Sequence, residues 1–294
     1  MEDHDRQLRF NVIEANGISL HYAEAGPKDG RLAILLHGFP EAWFAWRGVM
    51  AALAARDYRV VAPDQRGYNL SSKPSSFSAY ALDALAADIF ALANRLGGGT
   101  FDLIGHDWGA TVAWRMATID PARLRHMVIL NAPHPAIWLE AQKRDPEQHR
   151  KSRYVGFFRL PWLPELVLKA RNYAALAQAF ASSPRRDAFS DDVMEQYRES
   201  WRQPGALSGM LNWYRALLHF RIDLPPPSSI AVPTLILWGD KDDFAEPSLA
   251  EASARLCADV RVRHFPDATH WLVHDQPDDV AQEIGDFLRT GPCS

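Results

Sequence analysis

Short apolar runs alternate with helix-like segments along most of this chain, and that alternation restricts the fold more than any single motif does. Strands of a parallel sheet are covered on both faces, so each appears as a nearly continuous apolar run. The first two runs flank Asn16-Gly17, a strong hairpin signal, and are expected at the sheet edge. The predicted strands are residues 8–13, 18–23, 32–36, 58–62, 101–104, 126–130, 234–238 and 260–264.

Helical spacing and helix-stop signals separate these runs. Gly97-Gly98-Gly99 ends one helix, and Asp120-Pro121 ends another. The repeated order of strand, helix and strand predicts an α/β fold with a mostly parallel, eight-stranded sheet flanked by helices. The predicted helices are residues 43–55, 80–96, 110–116, 247–256 and 277–288.

The pattern changes after the sixth predicted strand. Residues 136–230 contain no buried-strand run, several helix-like stretches, many aromatic residues and a closing Pro- and Ser-rich linker. We predict a helical cap, or lid, domain over 136–230, and a core domain over 1–135 and 231–294. A chain of 294 residues fits one large α/β domain with such an insertion. The cap would cover the carboxyl ends of the strands, where open α/β sheets bind ligands.

A sharp turn after the fifth strand carries the most informative side chain. Gly105-His-Asp-Trp-Gly109 joins an apolar run to a helix-forming stretch and is typical of a nucleophile elbow. Two glycines allow strand and helix to approach closely, which exposes the central Asp107. A serine at this position suits attack on acyl carbon, whereas a carboxylate can attack saturated carbon and form an ester with the enzyme.

Three further segments follow predicted strands at the same edge of the sheet. His37-Gly-Phe-Pro40 can offer a backbone N–H to an oxyanion, Asp240-Lys-Asp-Asp243 supplies acids, and His270 lies beyond the last strand. The acids alone are more typical of a charged loop, and only their position after a strand favours one of them as catalytic. The chain order is nucleophile, acid, histidine.

That order, with these motifs, resembles the α/β-hydrolase fold and its epoxide hydrolase family over nearly the whole chain. The resemblance implies that Asp107 is the nucleophile and that His270 is the base for the second step. Asp242 would orient His270, with Asp243 as the alternative. The resemblance and the loop positions also predict that the backbone N–H groups of Phe39 and Trp108 form the oxyanion hole.

The same resemblance implies two tyrosines that assist ring opening. Asn212-Trp-Tyr-Arg215 is similar to the family segment that carries one of them, which indicates Tyr214. Tyr154 is the second candidate on a weaker match, and Tyr173 and Tyr197 are alternatives. The residues predicted to bind substrate are Phe39, Trp43, Trp108, Phe157 and Trp213. Further aromatics that could line an apolar pocket, although some must be core, are Trp46, Trp138, Phe158 and Trp162.

Composition excludes several other functions. A formal net charge of −4 offers no basic field for nucleic acid, and Cys257 and Cys293 form neither a disulfide framework nor a metal cluster. No zinc motif surrounds His270 and His274, so we expect no metal and no organic cofactor. The chain has no apolar run of spanning length, and its first residues have no signal-peptide core, so we predict a cytoplasmic protein without membrane association. A homodimer is left open.

Two other functions compete with hydrolysis of a small apolar epoxide by water. Haloalkane dehalogenases share the Asp nucleophile and the histidine step, but often carry asparagine where this chain has Phe39. Fluoroacetate dehalogenases have arginines near the nucleophile, and here Trp108 and Gly109 follow it. A non-catalytic relative that binds a small apolar ligand is the alternative from a different class.

Overall fold

The central element of the fold is a sheet of eight strands. The computed structural model describes residues 8–217 and 223–289. Within them the strands lie in the order β1-β2-β4-β3-β5-β6-β7-β8. The strands are β1 (Arg9–Ala15), β2 (Ile18–Ala25), β3 (Arg31–Leu36), β4 (Tyr58–Pro63), β5 (Phe101–His106), β6 (Leu124–Leu130), β7 (Thr234–Gly239) and β8 (Val260–Phe265).

Strand direction divides the sheet into two parts. β2 pairs antiparallel with both β1 and β4. The six strands β3 to β8 pair in parallel with one another. The interior strand β5 is buried throughout, as both-face coverage requires. The predicted mostly parallel, eight-stranded sheet is therefore confirmed. All the parallel strands end at one edge, which brings together the loops that follow β3, β5, β6, β7 and β8.

Helices cover both faces of the sheet and fill the connection between β6 and β7. None of the helices in residues 8–217 and 223–289 is both long and apolar enough to cross a bilayer. The helices are α1 (Arg47–Ala54), α2 (Leu82–Arg95), α3 (Trp108–Ile119), α4 (Pro135–Arg144), α5 (Pro146–Lys151), α6 (Arg153–Phe158), α7 (Leu163–Gln178), α8 (Asp191–Arg202), α9 (Ala206–Leu217), α10 (Ser248–Ala254), α11 (Leu272–Asp275) and α12 (Pro277–Phe287). Helix α7 is broken, because residues 170–173 have non-helical backbone angles.

The inserted helices α4 to α9 contact the loops at the carboxyl edge of the sheet. Trp201 on α8 donates its indole N–H to the carbonyl of Pro40 at 2.6 Å, and Trp213 on α9 donates to the carbonyl of Arg66 at 2.9 Å. Both indoles are almost fully buried, so these bonds are shielded from water. They connect the insertion to the loops after β3 and β4. The division into a core and a cap over 136–230 remains a prediction, and residues 218–222 lie outside the described part.

Close backbone contact at the elbow depends on two glycines. A Cβ atom built on Gly109 would lie 2.1 Å from the carbonyl oxygen of Leu36, and one on Gly105 would lie 2.6 Å from the backbone of Gly109. Real side chains do not approach backbone atoms this closely, so any larger residue would push α3 away from β3 and β5. The glycines of the motif thus set how near the helix lies to the sheet.

This packing predicts a large effect of one methyl group. We expect Gly109→Ala to lower the free energy of unfolding by about 3 kcal/mol, because overpacking a tight contact typically costs 1–3 kcal/mol. Gly48 on α1 is the matched control, since a Cβ there meets nothing within 4 Å. Gly48→Ala should instead stabilise by roughly 0.5–1 kcal/mol through helix propensity. Urea denaturation of both variants measures the difference, and equal effects would contradict this account.

Candidate active site

Asp107 lies at the turn between β5 and α3. Its backbone has φ 50° and ψ −118°, a conformation that a residue with a side chain rarely adopts, and its side chain remains 20% exposed. The backbone N–H of Phe39 donates to Oδ1 of Asp107 at 2.7 Å. A Cβ on Gly38 would lie 2.5 Å from the Cβ of Asp107, so glycine is required beside this carboxylate. Trp108 is the first residue of α3, where backbone N–H groups lack helical partners.

His270 lies between two carboxylates. Its Nδ1 is 2.8 Å from Oδ2 of Asp242, and its Nε2 is 3.7 Å from Oδ2 of Asp107. Both His270 and Asp242 are buried, with exposed fractions of 3% and 2%. The other two acids of the segment lie elsewhere: Asp243 is exposed, and Asp240 bonds to a histidine at the end of β8. The structure therefore brings Asp242 to His270.

Backbone and side-chain donors hold Asp242 in place. The N–H groups of Phe244 and Ala245 donate to its Oδ1 at 2.7 and 3.1 Å, and the amide of Asn131 donates to Oδ2 at 2.7 Å. Burial alone would raise the pKa of Asp242, but the charge of His270 and these donors hold that pKa below its usual value. Asp242 thus stays ionised and fixes the Nδ1 side of the imidazole.

The two carboxylates also change the charge of the histidine. Burial by itself would lower the pKa of His270, but the charge and hydrogen bond of Asp242, with a smaller contribution from Asp107, raise it to about 9. His270 is then protonated at neutral pH. Loss of the Asp107 charge would remove part of this effect and lower the pKa of the imidazole.

Tyr154 on α6 and Tyr214 on α9 lie across the cavity from Asp107. Their ring centroids are 5.9 Å apart, and both side chains line the space next to Asp107 and His270. Burial, followed by the charge of Asp107, raises the pKa of Tyr154, and burial likewise raises the pKa of Tyr214. Both phenols therefore keep their protons at neutral pH and can donate hydrogen bonds.

The cavity has two arms that meet at these residues. Five side chains line both arms: Asp107, Tyr154, Tyr214, Phe244 and His270. Arm one continues past Trp108, Trp138 and Val155. Arm two continues past two residues of the broken helix α7 and past one residue each from the loop after β3, from α6 and from the segment after β8, namely Leu168, Leu176, Phe39, Phe158 and Trp271. Apolar walls in both arms favour an apolar ligand.

The structure places three of the predicted substrate-binding residues outside this cavity. Trp43 lines a separate surface pocket and packs against Phe10 at 5.0 Å. Trp213 lies behind Trp108, 5.6 Å away, because α9 turns residue 213 away from the cavity that residue 214 faces. Phe157 is partly buried, and its ring centroid lies 6.0 Å from that of Phe158, which does line the cavity.

Other predicted aromatics divide in the same way. Phe158 and Trp138 line the cavity, whereas Trp46 is fully buried in the core and Trp162 is 70% exposed. The alternative tyrosines do not reach the site. Tyr173 packs against the indole of Trp201, and Tyr197 donates to a buried glutamate described next.

Sequence reasoning missed a buried network behind His270. Oε2 of Glu41 lies 3.0 Å from Nδ1 of His106, and Oε1 lies 2.6 Å from Nε2 of His274 and 3.0 Å from the hydroxyl of Tyr197. His106 in turn contacts the carbonyl of His270 through Nε2, at 2.8 Å. Burial would raise the pKa of Glu41, but the two histidines hold it well below its usual value. The network supports the backbone of His270.

Within residues 8–217 and 223–289, no group of three or more His, Cys, Asp or Glu side chains is arranged to hold a metal ion. His270 and His274, the pair that could suggest one, each bond to a different carboxylate. The expectation that the protein needs no metal or cofactor stays a prediction.

Fold and site together define a class of protein. Its members combine an eight-stranded α/β sheet with a carboxylate at the nucleophile elbow and a buried Asp–His pair beside it. Residues 33–277 match the alpha/beta hydrolase fold family. The chain is 40% identical over 282 residues to the AB hydrolase superfamily protein YfhM of Bacillus subtilis (strain 168), covering 96% of this chain and 98% of that protein. It is 37% identical over 284 residues to human Epoxide hydrolase 4, covering 94% and 77%.

Solved structures agree. The crystal structure of Bacillus megaterium epoxide hydrolase in complex with an inhibitor superposes with a TM-score of 0.87 at 27% identity, covering 95% of this chain and 100% of that one. The chain belongs to the α/β-hydrolase fold family and, within it, to the epoxide hydrolases. The family predicted from the sequence motifs is thereby confirmed.

Proposed function

We propose that this protein hydrolyses apolar epoxides to vicinal diols through an ester on Asp107. The observation that carries the proposal is the cavity itself, in which a carboxylate, two protonated phenols and the imidazole of a buried Asp–His pair line one apolar space. Relatives named epoxide hydrolases, which match nearly the whole chain, support the same activity.

In the first step Oδ2 of Asp107 attacks one carbon of the epoxide ring. A C–O ester bond forms, the ring C–O bond breaks, and the ring oxygen leaves as an alkoxide. Tyr154 and Tyr214 donate hydrogen bonds to this oxygen as its charge develops, which matters because alkoxide is a poor leaving group. The N–H of Phe39 holds Oδ1, so Oδ2 is the oxygen that faces His270 and the substrate.

In the second step water attacks the carbonyl carbon of the ester. His270 enters the cycle protonated, with a pKa of about 9, and supplies the proton that converts the alkoxide into an alcohol. Having given up this proton, the imidazole is neutral. Esterification also removes the charge of Asp107, which lowers the pKa of the imidazole and keeps it available as a base. It then accepts a proton from water as the hydroxide adds to the ester carbonyl, and the N–H groups of Phe39 and Trp108 stabilise the oxyanion. The bond between the carbonyl carbon and the substrate oxygen breaks, and that oxygen takes the proton of the new carboxyl group. The diol is released, with Asp107 again a carboxylate and His270 an imidazolium.

The proposal includes the remaining expectations from sequence. The inserted helices over 136–230 act as a cap that excludes bulk water from the ester. The partners are one small apolar epoxide and water, and the protein works in the cytoplasm, with the homodimer left open.

Parallel assays of two product types test the function. Purified protein is incubated with styrene oxide and with 1-bromobutane, and diol and bromide are measured. We expect diol formation and no bromide, because the phenols suit an alkoxide leaving group and the loop residue beside the nucleophile is Phe39. Bromide release without diol would make the protein a haloalkane dehalogenase. Ligand binding without turnover across an epoxide and haloalkane panel would make it a binding protein.

Removing the phenol hydroxyls should slow ring opening. We expect Tyr154→Phe and Tyr214→Phe each to lower the alkylation rate by about 10²-fold, and the double variant to lower it further, since one oxyanion-type donor contributes 10²–10³-fold. Stopped-flow tryptophan fluorescence under single-turnover conditions measures alkylation, because Trp108 lies next to Asp107. Tyr58→Phe removes a hydroxyl that donates to the carbonyl of Leu288, outside the cavity, and serves as the control. Unchanged alkylation in the double variant would remove both tyrosines from the mechanism.

A further inference from the structure

The exposed apolar side chains of this protein are concentrated in one short segment. Ten large apolar residues of the described part are exposed, and four of them form what we call the apolar patch: Leu160, Trp162, Leu166 and Val167. The patch runs from the end of α6 into the first turns of α7. Exposed apolar residues are normally scattered singly over a surface, so a concentration of this kind marks an interaction site.

Trp162 is the most exposed member of the patch, at 70%. It lies at the turn before α7 with a backbone φ of 49°, in the left-handed region that favours glycine. A large aromatic residue thus occupies a position that neither packing nor backbone preference calls for. Trp is enriched where water meets lipid, because its ring is apolar and its N–H is polar. A surface that takes up the indole accounts for its presence there.

The charge around the apolar patch is positive. Arg159, Lys169 and Arg171 are exposed and flank the patch along the chain. Within the part of the chain that the structure describes, none of these three takes part in an ion pair. Glu165, the one acid of the segment, accepts two hydrogen bonds from Arg215, at 2.8 and 2.9 Å, and is neutralised. In a chain with a formal net charge of −4, this surface therefore attracts anions.

Apolar side chains flanked by unpaired cations fit an anionic lipid surface. Interfacial protein segments combine large apolar residues, which insert between the lipids, with Lys and Arg, which are attracted to anionic headgroups. A second copy of this chain fits less well, because two such surfaces would repel each other. We propose that the apolar patch and its flanking cations dock this protein on an anionic lipid membrane.

This inference goes beyond the proposed function and revises one expectation from sequence. The chain was expected to have no membrane association because no apolar run is long enough to span a bilayer. Docking on the surface of a membrane needs no such run, since only one face of a segment enters the headgroup region.

The docking surface lies beside an opening of the active-site cavity. Arm two is also lined by Ala175 and Gln178 of α7, and both are exposed, so arm two reaches the protein surface there. Earlier in the same helix, Leu166 and Val167 are exposed, whereas Leu168 is buried and lines arm two. A protein docked through this helix holds an entrance to its cavity close to the lipid, where apolar compounds collect.

Flotation with lipid vesicles tests the docking. The vesicles consist of phosphatidylcholine alone or of phosphatidylcholine with about 30% phosphatidylglycerol, and bound protein is measured at low salt and at 0.5 M NaCl. The patch variant combines Trp162→Ala with Leu166→Ala. Its matched control combines Phe10→Ala with Val12→Ala, which removes two exposed apolar side chains from β1. Thermal midpoints confirm that each variant is folded.

We expect the natural protein to bind the anionic vesicles at least tenfold more tightly than phosphatidylcholine alone, since each basic residue near an anionic surface contributes about fivefold. The patch variant should bind both vesicle types at least tenfold more weakly, because burial of one large apolar side chain corresponds to about tenfold or more. The control with Phe10 and Val12 exchanged should bind as the natural protein does.

A charge variant separates attraction to headgroups from insertion. Lys169→Gln with Arg171→Gln should weaken binding to the anionic vesicles by about 30-fold and leave binding to phosphatidylcholine unchanged. Most of the salt dependence should disappear with these two charges, because salt screens exposed charges. Lys28→Gln with Arg95→Gln is the matched control. It removes two exposed basic residues from other surfaces, with the same change of net charge, and should bind normally.

Other results would overturn the docking. A natural protein that binds neither vesicle type, or a patch variant that binds as well as the natural protein, would show that the patch contacts no lipid. An equal loss in the control with Phe10 and Val12 exchanged would show unspecific adsorption. A dimer in light scattering that the patch variant converts to a monomer, without vesicle binding, would show that the patch joins two copies. Failure of the proposed function is a separate result, because vesicle binding is measured without an epoxide.

Discussion

Asp107→Ala is expected to lower kcat by roughly a million-fold, to the limit of detection, as removal of a covalent nucleophile does in comparable enzymes. The reason is that no other group of the cavity can form the ester. Turnover of styrene oxide by the variant is the measurement. Asp243→Ala, which removes an exposed acid of the loop after β7, is the matched control and should retain full activity.

Isotope labelling extends this prediction to the bond that forms. In a single turnover with excess enzyme in oxygen-18 water, the first diol should take its new oxygen from the carboxylate of Asp107, since water attacks the ester carbonyl. The label should then be found in Asp107 and should reach the diol only in later turnovers. Label in the first diol would mean that water attacks the epoxide directly, with Asp107 as a base.

We do not expect the loss of activity in Asp107→Ala to come from a folding defect. Asp107 adopts a positive φ in a sparsely populated region, which costs a residue with a Cβ on the order of 1–3 kcal/mol, so the exchange to Ala leaves most of this strain in place. The carboxylate of Asp107 accepts a hydrogen bond from Phe39, and the loss of that bond should destabilise by about 1 kcal/mol. The thermal midpoint of the variant should therefore stay within a few degrees of the natural protein.

Sequence predicted the fold well because strand burial is a local signal. The run at 101–104 was predicted as a strand and forms one, but β5 continues to His106, which pairs with Leu130. Gly105 is typical of a turn, so the pattern placed the strand end too early. Pairing with β3 and β6 determines the true end, and a single strand's sequence does not contain its partners' register.

The site residues that directly follow strands could be predicted from their position along the chain. Asp107 and His270 follow strands, and topology alone brings the ends of parallel strands together. The direction in which a helical side chain points was less predictable. Residues 157 and 158 on α6 are both phenylalanine, and only the packing of the helix decides that Phe158, and not Phe157, reaches the cavity.

The buried network of Glu41 shows the same limit more clearly. Its partners His106, Tyr197 and His274 are 65, 156 and 233 residues away in sequence. No local period or motif reports contacts at such separations. The one available signal was an acid directly after His37-Gly-Phe-Pro40, in a loop already assigned to the site.

His270→Gln should stop the enzyme at the ester, with kcat lowered by about 10³–10⁴-fold. Glutamine keeps an N–H donor for Asp242, so the buried carboxylate retains a partner and the fold should persist. It cannot accept a proton from water, so Asp107 is alkylated but not released. Mass spectrometry of the intact variant after mixing with styrene oxide should find one added substrate mass.

His264→Gln is the matched control, since His264 lies at the end of β8 and bonds to Asp240 and Glu251, outside the cavity. It should turn over normally and accumulate no adduct. An inactive but unmodified His270→Gln protein would place the imidazole in the alkylation step. An active one would assign water activation to another group. The accumulated ester is the stronger result, because only a two-step mechanism with distinct roles for Asp107 and His270 leaves the substrate bound to the enzyme.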